Sequence, residues 1–194
     1  MSDLAVFGYG SLASPASVSG TLGRGLEVIG QARLEGWRRR WSVMRDNRTS
    51  EKAFARALDG SIPAHCIGLN LEPTSGAPAP NGVLLRASEA DLDRLDLREV
   101  RYERADVTRD VRMTTGNCPD TVVTYVARAG NFAPDPPEDA IVIASYLEAV
   151  EAAFRALGPD ALDEFWASTD RPPVEVAEAV LIEDRIPAGN PREW

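Results

Sequence analysis

The chain has 194 residues and a formal net charge of −9, with 44% hydrophobic and 26% charged residues. That length suits one sizeable domain with its own core, and the acidic balance excludes general binding to nucleic acid or an anionic membrane surface, which needs a surplus of Lys and Arg. No apolar run approaches the ~18 residues of a membrane span, and Met1-Ser2-Asp3 opens neither a basic segment nor a signal-peptide core, so a cytoplasmic location is expected.

The first predicted element is a strand, Ala5–Gly8, which runs into Gly8-Tyr9-Gly10-Ser11-Leu12-Ala13. Glycine accepts positive φ and allows close approach, so such a loop can turn its backbone N–H groups inward and hold an anion. Read literally, the loop also matches the G-x-G-x-x-A dinucleotide fingerprint. That fingerprint requires a helix opening at its third position and an acidic residue about 20 residues on, at the end of the next strand. Ser14 to Gly23 contains few strong helix formers, although Pro15 at the first helical position permits one or two turns. Glu27 precedes Val28-Ile29 and so opens a strand instead of closing one. A ligand cradle of another kind is the preferred reading, ahead of a plain turn and a nucleotide site.

Further strands are expected at Val28–Trp37, Arg40–Met44, Ala64–Leu71, Gly82–Arg86, Tyr102–Arg112 and Thr121–Ala127. The arginines from Arg33 to Arg48 are expected to face solvent or to pair with the many carboxylates. Asp46 to Pro63 reads as an excursion, Glu72 to Gly82 as a surface turn, and Thr115 to Asp120 as a hairpin turn. Ser88 and Asp91 form a capping pattern that opens a short helix, with Leu92, Leu95 and Leu97 facing inward. A longer helix is expected from Pro136 to Leu157, broken by Gly158-Pro159, and another from Asp160 to Ser168. The tail from Thr169, with Pro172-Pro173 and Pro187, reads as extended and packed by Val174, Val176, Val180, Leu181 and Trp194. Strands early and helices late make the fold α+β, without the regular alternation of a doubly wound sheet.

The chain has two cysteines, Cys66 and Cys118, far apart, so no disulfide is expected; one histidine, His65, cannot form a zinc site or a nucleophile–histidine pair alone. Cys66 is assigned to the core and its neighbour His65 to the surface. Glu99 stands where helical spacing ends and the strand from Tyr102 begins, a place from which a side chain can enter a cleft. A surface ion pair with Arg98 or Arg101 is the usual fate of such a charge and is the reading that the residues alone favour.

Taken together, Phe7-Gly8-Tyr9-Gly10-Ser11-Leu12 and Leu95-Asp96-Leu97-Arg98-Glu99-Val100, followed by Tyr102 and Arg104, resemble the gamma-glutamylcyclotransferase superfamily, in particular its ChaC-like bacterial members. The similarity continues through Ala32–Arg39, Cys66–Leu69, Gly82–Arg86, Thr124–Val126 and Ser145–Leu147, and covers roughly residues 4 to 165. The resemblance implies a gamma-glutamylcyclotransferase-like mixed β-barrel with flanking helices over residues 1–170, with residues 171–194 as a tail packed on it. It implies that Glu99 is the general base and acid, that Tyr9, Gly10, Ser11 and Leu12 hold the glutamyl group, and that Tyr146 contacts substrate, with Tyr125 a weaker candidate. It also implies release of 5-oxoproline from a small gamma-glutamyl compound, without metal or cofactor. Asp46–Pro80 and the tail have no counterpart in the resemblance. The leaving group therefore stays open among glutathione, a gamma-glutamyl amino acid and a gamma-glutamyl amine, and the sequence is silent on oligomeric state. The alternative is a non-catalytic module of the same fold that binds a small carboxylate, with a dinucleotide-binding protein third.

Overall fold

Residues 3–186 are described in the computed structural model of the chain; Pro187 and Trp194, assigned to the packed tail, lie outside them. The elements in chain order are β1 (Leu4–Gly8), a 3-10 turn (Ser11–Ala13), α1 (Pro15–Leu22), β2 (Val28–Leu34), β3 (Trp37–Asp46), β4 (Lys52–Arg56), β5 (His65–Pro73) and β6 (Asn81–Arg86). There follow α2 (Glu89–Arg98), β7 (Tyr102–Asp106), β8 (Val111–Met113), β9 (Thr121–Ala127), β10 (Ile141–Ile143), α3 (Ala144–Leu157), α4 (Ala161–Ala167), β11 (Glu175–Ala177) and β12 (Ala179–Asp184).

Every residue of β1 is buried, as expected of an apolar strand covered on both faces. It lies inside a six-stranded sheet ordered β7-β9-β1-β6-β2-β8, antiparallel to β6 and parallel to β9. A second sheet has the order β11-β10-β5-β3, and β4 pairs with β12 in a separate ribbon. The two larger sheets are joined where the Tyr102 hydroxyl donates to the Leu69 carbonyl at 2.8 Å and the Ala127 N–H to Asn70 Oδ1 at 2.8 Å. Phe7, Leu69, Leu71, Leu84, Trp41, Phe154 and Phe165 fill the space between them. The result is the expected α+β half-barrel flanked by helices. Because β2 pairs with β6 and β8 and not with β1, the first strand–helix–strand unit is no dinucleotide-binding crossover, and Glu27 instead meets Arg86 at 3.0 Å.

Close approach, not left-handed backbone, explains the glycine at the end of β1. Neither Gly8 nor Gly10 has positive φ, which corrects half of the expectation for this loop. A Cβ on Gly8 would stand 2.7 Å from the Leu12 carbonyl oxygen, and one on Gly82 of β6 would stand 2.5 Å from the Gly8 carbonyl oxygen. The chain therefore folds back over its own strand end, with Gly82 pressed against it from the neighbouring strand.

Several boundaries differ from expectation for identifiable reasons. Ile141-Val142-Ile143 is β-branched throughout and forms a strand between β5 and β11, so α3 starts only at Ala144. The expected strand Val28–Trp37 breaks at Gly36, whose φ is 77°. Tyr102–Arg112 is split because the Asp106 carboxylate accepts from the Thr108 N–H and hydroxyl, turning the chain after β7. Strand β8 then pairs with β2 on the far edge, so Thr115–Asp120 is no hairpin turn. The excursion Asp46–Pro63 contains β4, and the tail is held by strand pairing of β11 and β12. Val176, Val180 and Leu181 are exposed, and among the described residues named for the tail Val174 alone packs on the main core. Among the arginines, Arg39 is fully buried over the Phe154 and Phe165 rings and donates to Asn81 and Thr169, whereas Arg38 and Arg40 reach Glu72. Cys66 is buried as expected, and His65 is half-buried. Among the described residues no helix is long and apolar enough to cross a membrane.

Substituting Gly8→Ala forces the backbone at Leu12 to move, and should cost roughly 1–3 kcal/mol as overpacking does. Urea denaturation checks this; a variant as stable as the wild type would mean that the loop accommodates a methyl group.

Candidate active site

The site begins with the capping of α2. Ser88 accepts from the Asp91 N–H, while the Asp91 carboxylate accepts from the Ser88 N–H at 2.9 Å, so the first turn is closed. At the other end Glu99 leaves helical geometry, with φ −84° and ψ 44°, yet its N–H still donates to the Leu95 carbonyl at 2.7 Å. The Glu99 carbonyl accepts from the Tyr102 N–H at 2.8 Å, which takes the chain directly into β7. This tight exit turns both Arg98 and Glu99 inward, their side chains only 2% and 13% exposed.

Arg98 organises what surrounds it. Its Nε faces Glu99 Oε1 at 3.0 Å. Its Nη1 donates to the Ser17 carbonyl and to Thr21 Oγ1, both at 2.9 Å. Its Nη2 donates to Ser17 Oγ at 2.8 Å and to Ser11 Oγ at 3.0 Å. One planar fork of donors thereby fixes the acid, the face of α1 that carries Ser17 and Thr21, and the loop after β1. Helix α1, eight residues long, makes the two turns that Pro15 permits, because Ser14 caps it, Pro15 occupies its first position and Gly23 closes it in left-handed geometry.

A cavity of about 450 Å³ opens beside this group. Its lining includes Ser11, Glu99, Arg101, Tyr102 and Tyr146, and also Arg45, Phe54 and Ile186. Burial pushes the Glu99 carboxyl above its ordinary range, opposed by Arg98 and Arg101. Burial also raises Tyr146 to about 12, with Glu99 adding to the rise, and lifts Tyr102 well above the usual phenol value. Both phenols are therefore neutral hydrogen-bonding groups at physiological pH. Tyr146 stands edge-on to Trp41 with ring centroids 6.2 Å apart, and a Cβ on Gly10 would lie 3.6 Å from its hydroxyl.

Of the residues singled out in the sequence, Glu99, Ser11 and Tyr146 line this one cavity, and Gly10 lies beneath Tyr146. Tyr9 and Leu12 differ from expectation: both side chains are buried in the core, and the Tyr9 hydroxyl donates to the Tyr125 carbonyl at 2.8 Å. Any part they play in binding belongs to the main chain, whose N–H groups at the start of a 3-10 turn have no partner within it. Tyr125 points away, donating to Asp96 Oδ1 at 2.8 Å. Sequence reasoning missed Arg98 as the organiser, Tyr102 as a lining residue, and the wall supplied by β4 and the end of β12. The i, i+4 spacing of Ser17 and Thr21, which puts two hydroxyls on one face of α1, was a readable sign that a polar group packs there. Among the described residues no cluster of three or more His, Cys, Asp or Glu could hold a metal ion.

No protein-family model matches the sequence, and no curated protein matches it. Solved structures do. A gamma-glutamyl cyclotransferase superposes with a TM-score of 0.62 at 15% identity, over 88% of this chain and 89% of its own. An uncharacterized protein from Homo sapiens superposes with a TM-score of 0.61 at 15% identity, over 89% of this chain and 90% of its own. The chain thus has the gamma-glutamylcyclotransferase-like fold.

Removing the guanidinium strands a buried carboxylate, so Arg98→Met should lose about 3–5 kcal/mol of stability at neutral pH. The deficit should shrink as pH falls through the raised pKa of Glu99, because the protonated acid no longer needs a cation. Denaturation of both proteins at several pH values tests this; a deficit independent of pH would separate Arg98 from the charge of Glu99.

Proposed function

We propose that this chain is an enzyme that releases 5-oxoproline from a gamma-glutamyl compound, with Glu99 as general base and then general acid. One observation carries the reading: a carboxylate with a raised pKa lines a cavity together with Ser11 of the glycine loop, and a single arginine holds both in place. The fold shared with a gamma-glutamyl cyclotransferase at 15% identity supports the class of reaction. The glycine loop and the Arg98-Glu99 sequence support a place near the ChaC-like members.

The chemistry asks little beyond these groups. The substrate α-amine is mostly protonated near neutral pH and must lose a proton to become a nucleophile. A carboxylate whose pKa is raised by burial is matched to that task. The amine nitrogen then bonds to the gamma-carbonyl carbon and closes a five-membered ring. Glu99 hands the first proton to the leaving nitrogen and takes the second from the ring nitrogen, which still carries two hydrogens after attack; collapse of the tetrahedral oxyanion then breaks the bond to the leaving nitrogen, and the freed amine takes up that second proton. A substrate that enters as an ammonium ion yields a lactam and an amine that departs as an ammonium ion, so atoms and charge balance and the enzyme is regenerated. Folding the substrate so that amine and carbonyl touch supplies the proximity. The main-chain N–H groups after β1 and the Ser11 hydroxyl hold the glutamyl carboxylate, and the Tyr146 hydroxyl bounds it from α3.

Purified protein should form 5-oxoproline from at least one of glutathione, a gamma-glutamyl amino acid and a gamma-glutamyl amine, measured by chromatography. Glu99→Gln should lower the rate by roughly 10²–10⁴-fold, the usual worth of a general acid–base, while the circular dichroism spectrum is kept. Activity should decline as pH falls through the pKa of Glu99, since the protonated acid cannot accept the ammonium proton. The acid limb of kcat/KM should therefore lie above the ordinary glutamate value of about 4.3. Full activity in Glu99→Gln, or an acid limb at the ordinary value, would contradict this assignment.

A further inference from the structure

Besides the group around Glu99, the lining holds a second cluster, with Arg45 over the Phe54 ring, that forms the Arg45 end of the cavity; the charges of the cavity as a whole are unequal. Its walls carry Arg45, Lys52, Arg98 and Arg101 against Glu51 and Glu99, a local excess of cations in a chain whose net charge is −9. Most of these charges are matched. Arg98 holds Glu99, Arg101 meets Glu51 at 2.6 Å, and Lys52 lies 3.5 Å from Asp184.

Arg45 is different. Among the described residues no carboxylate lies within ion-pair distance of it, and its Nη2 has only Asn47 Oδ1 at 3.3 Å and Cys66 Sγ at 3.5 Å. Its guanidinium lies 4.9 Å from the centre of the Phe54 ring, and its Nε is buried with no hydrogen-bond partner. That Nε is enclosed by protein, so a ligand would meet the Nη groups, and a guanidinium lining a partly desolvated cavity is a strong partner for a carboxylate. Phe54, Ile143 and Ile186 make the rest of this end apolar, which strengthens such a contact by excluding water.

We propose that this end is the leaving-group subsite and that Arg45 reads a carboxylate there, so that the leaving group is a carboxylate-bearing amine such as an amino acid or the end of a peptide, and not a simple amine. The proposal rests on the gamma-glutamyl reading of the Glu99 end. Its wall comes from β3, β4, β5 and Ile186, two residues past the end of β12.

The test uses a pair of compounds that differ only in the carboxylate, gamma-glutamylalanine and gamma-glutamylethylamine, with the wild type, Arg45→Gln and Arg45→Lys. The wild type should favour the alanine compound in kcat/KM by roughly 10- to 100-fold, the worth of one charge-assisted hydrogen bond. The preference should fall to near unity in Arg45→Gln and be partly kept in Arg45→Lys. Equal use of both compounds by the wild type, or a preference that survives in Arg45→Gln, overturns the proposal. If neither compound gives 5-oxoproline, the reaction assigned above is refuted for this pair, and calorimetric titration decides the subsite separately. Tighter binding of the alanine compound that is lost in Arg45→Gln sustains it, whereas equal binding or none overturns it.

Discussion

The buried guanidinium of Arg98 is the constraint on which the rest of the site depends. It is the last residue of α2, and from there it reaches the acid that follows it, the hydroxyl face of α1 and the serine of the loop after β1. Without it, nothing described in the structure ties the Glu99 carboxylate to the glycine loop. The same contact sets the electrostatics. Burial raises the Glu99 pKa, and the adjacent arginines limit the rise. The acid is thereby kept ionisable in a place that would otherwise keep it neutral.

That arrangement needs a chain able to double back at the end of a buried strand. Gly8 and Gly82 supply this by having no side chain where Leu12 and Gly8 itself pass over them. The parallel pairing of β1 with β9 and its antiparallel pairing with β6 fix the strand end at the mouth of the half-barrel. The tight turn after α2 brings Glu99 to the same mouth from a distant part of the sequence.

Much of this was legible before any coordinates. The capping box at Ser88 and Asp91, the leucine spacing and the change to strand spacing at Tyr102 located Glu99 at a helix–strand junction, which is where it stands. Of the two properties that make glycine suit the loop after β1, positive φ and close approach, the structure uses only the second, because φ cannot be read from a glycine alone. The resemblance puts Tyr9 with its neighbours in the cradle, although alternate residues leave a strand end on opposite sides and its ring goes to the core. Long-range pairing was the least legible part. Nothing local in Lys52–Arg56 announces that it will meet Ala179–Asp184, and the burial of Arg39 depends on aromatic rings from two distant helices. Yet these pairings built the far wall of the cavity and left Arg45 in it without a carboxylate partner.

The proposed reaction fixes where its product sits. A crystal structure with 5-oxoproline bound tests it most directly. The lactam carboxylate should lie against the main-chain N–H groups after Gly8 and the Ser11 hydroxyl, with the ring N–H donating to the Glu99 carboxylate within about 2.6–3.2 Å, the reach required of a catalytic base. A ligand bound elsewhere, or one in the cavity with the Glu99 carboxylate turned away from it, would contradict the claim that this acid and this loop form one site.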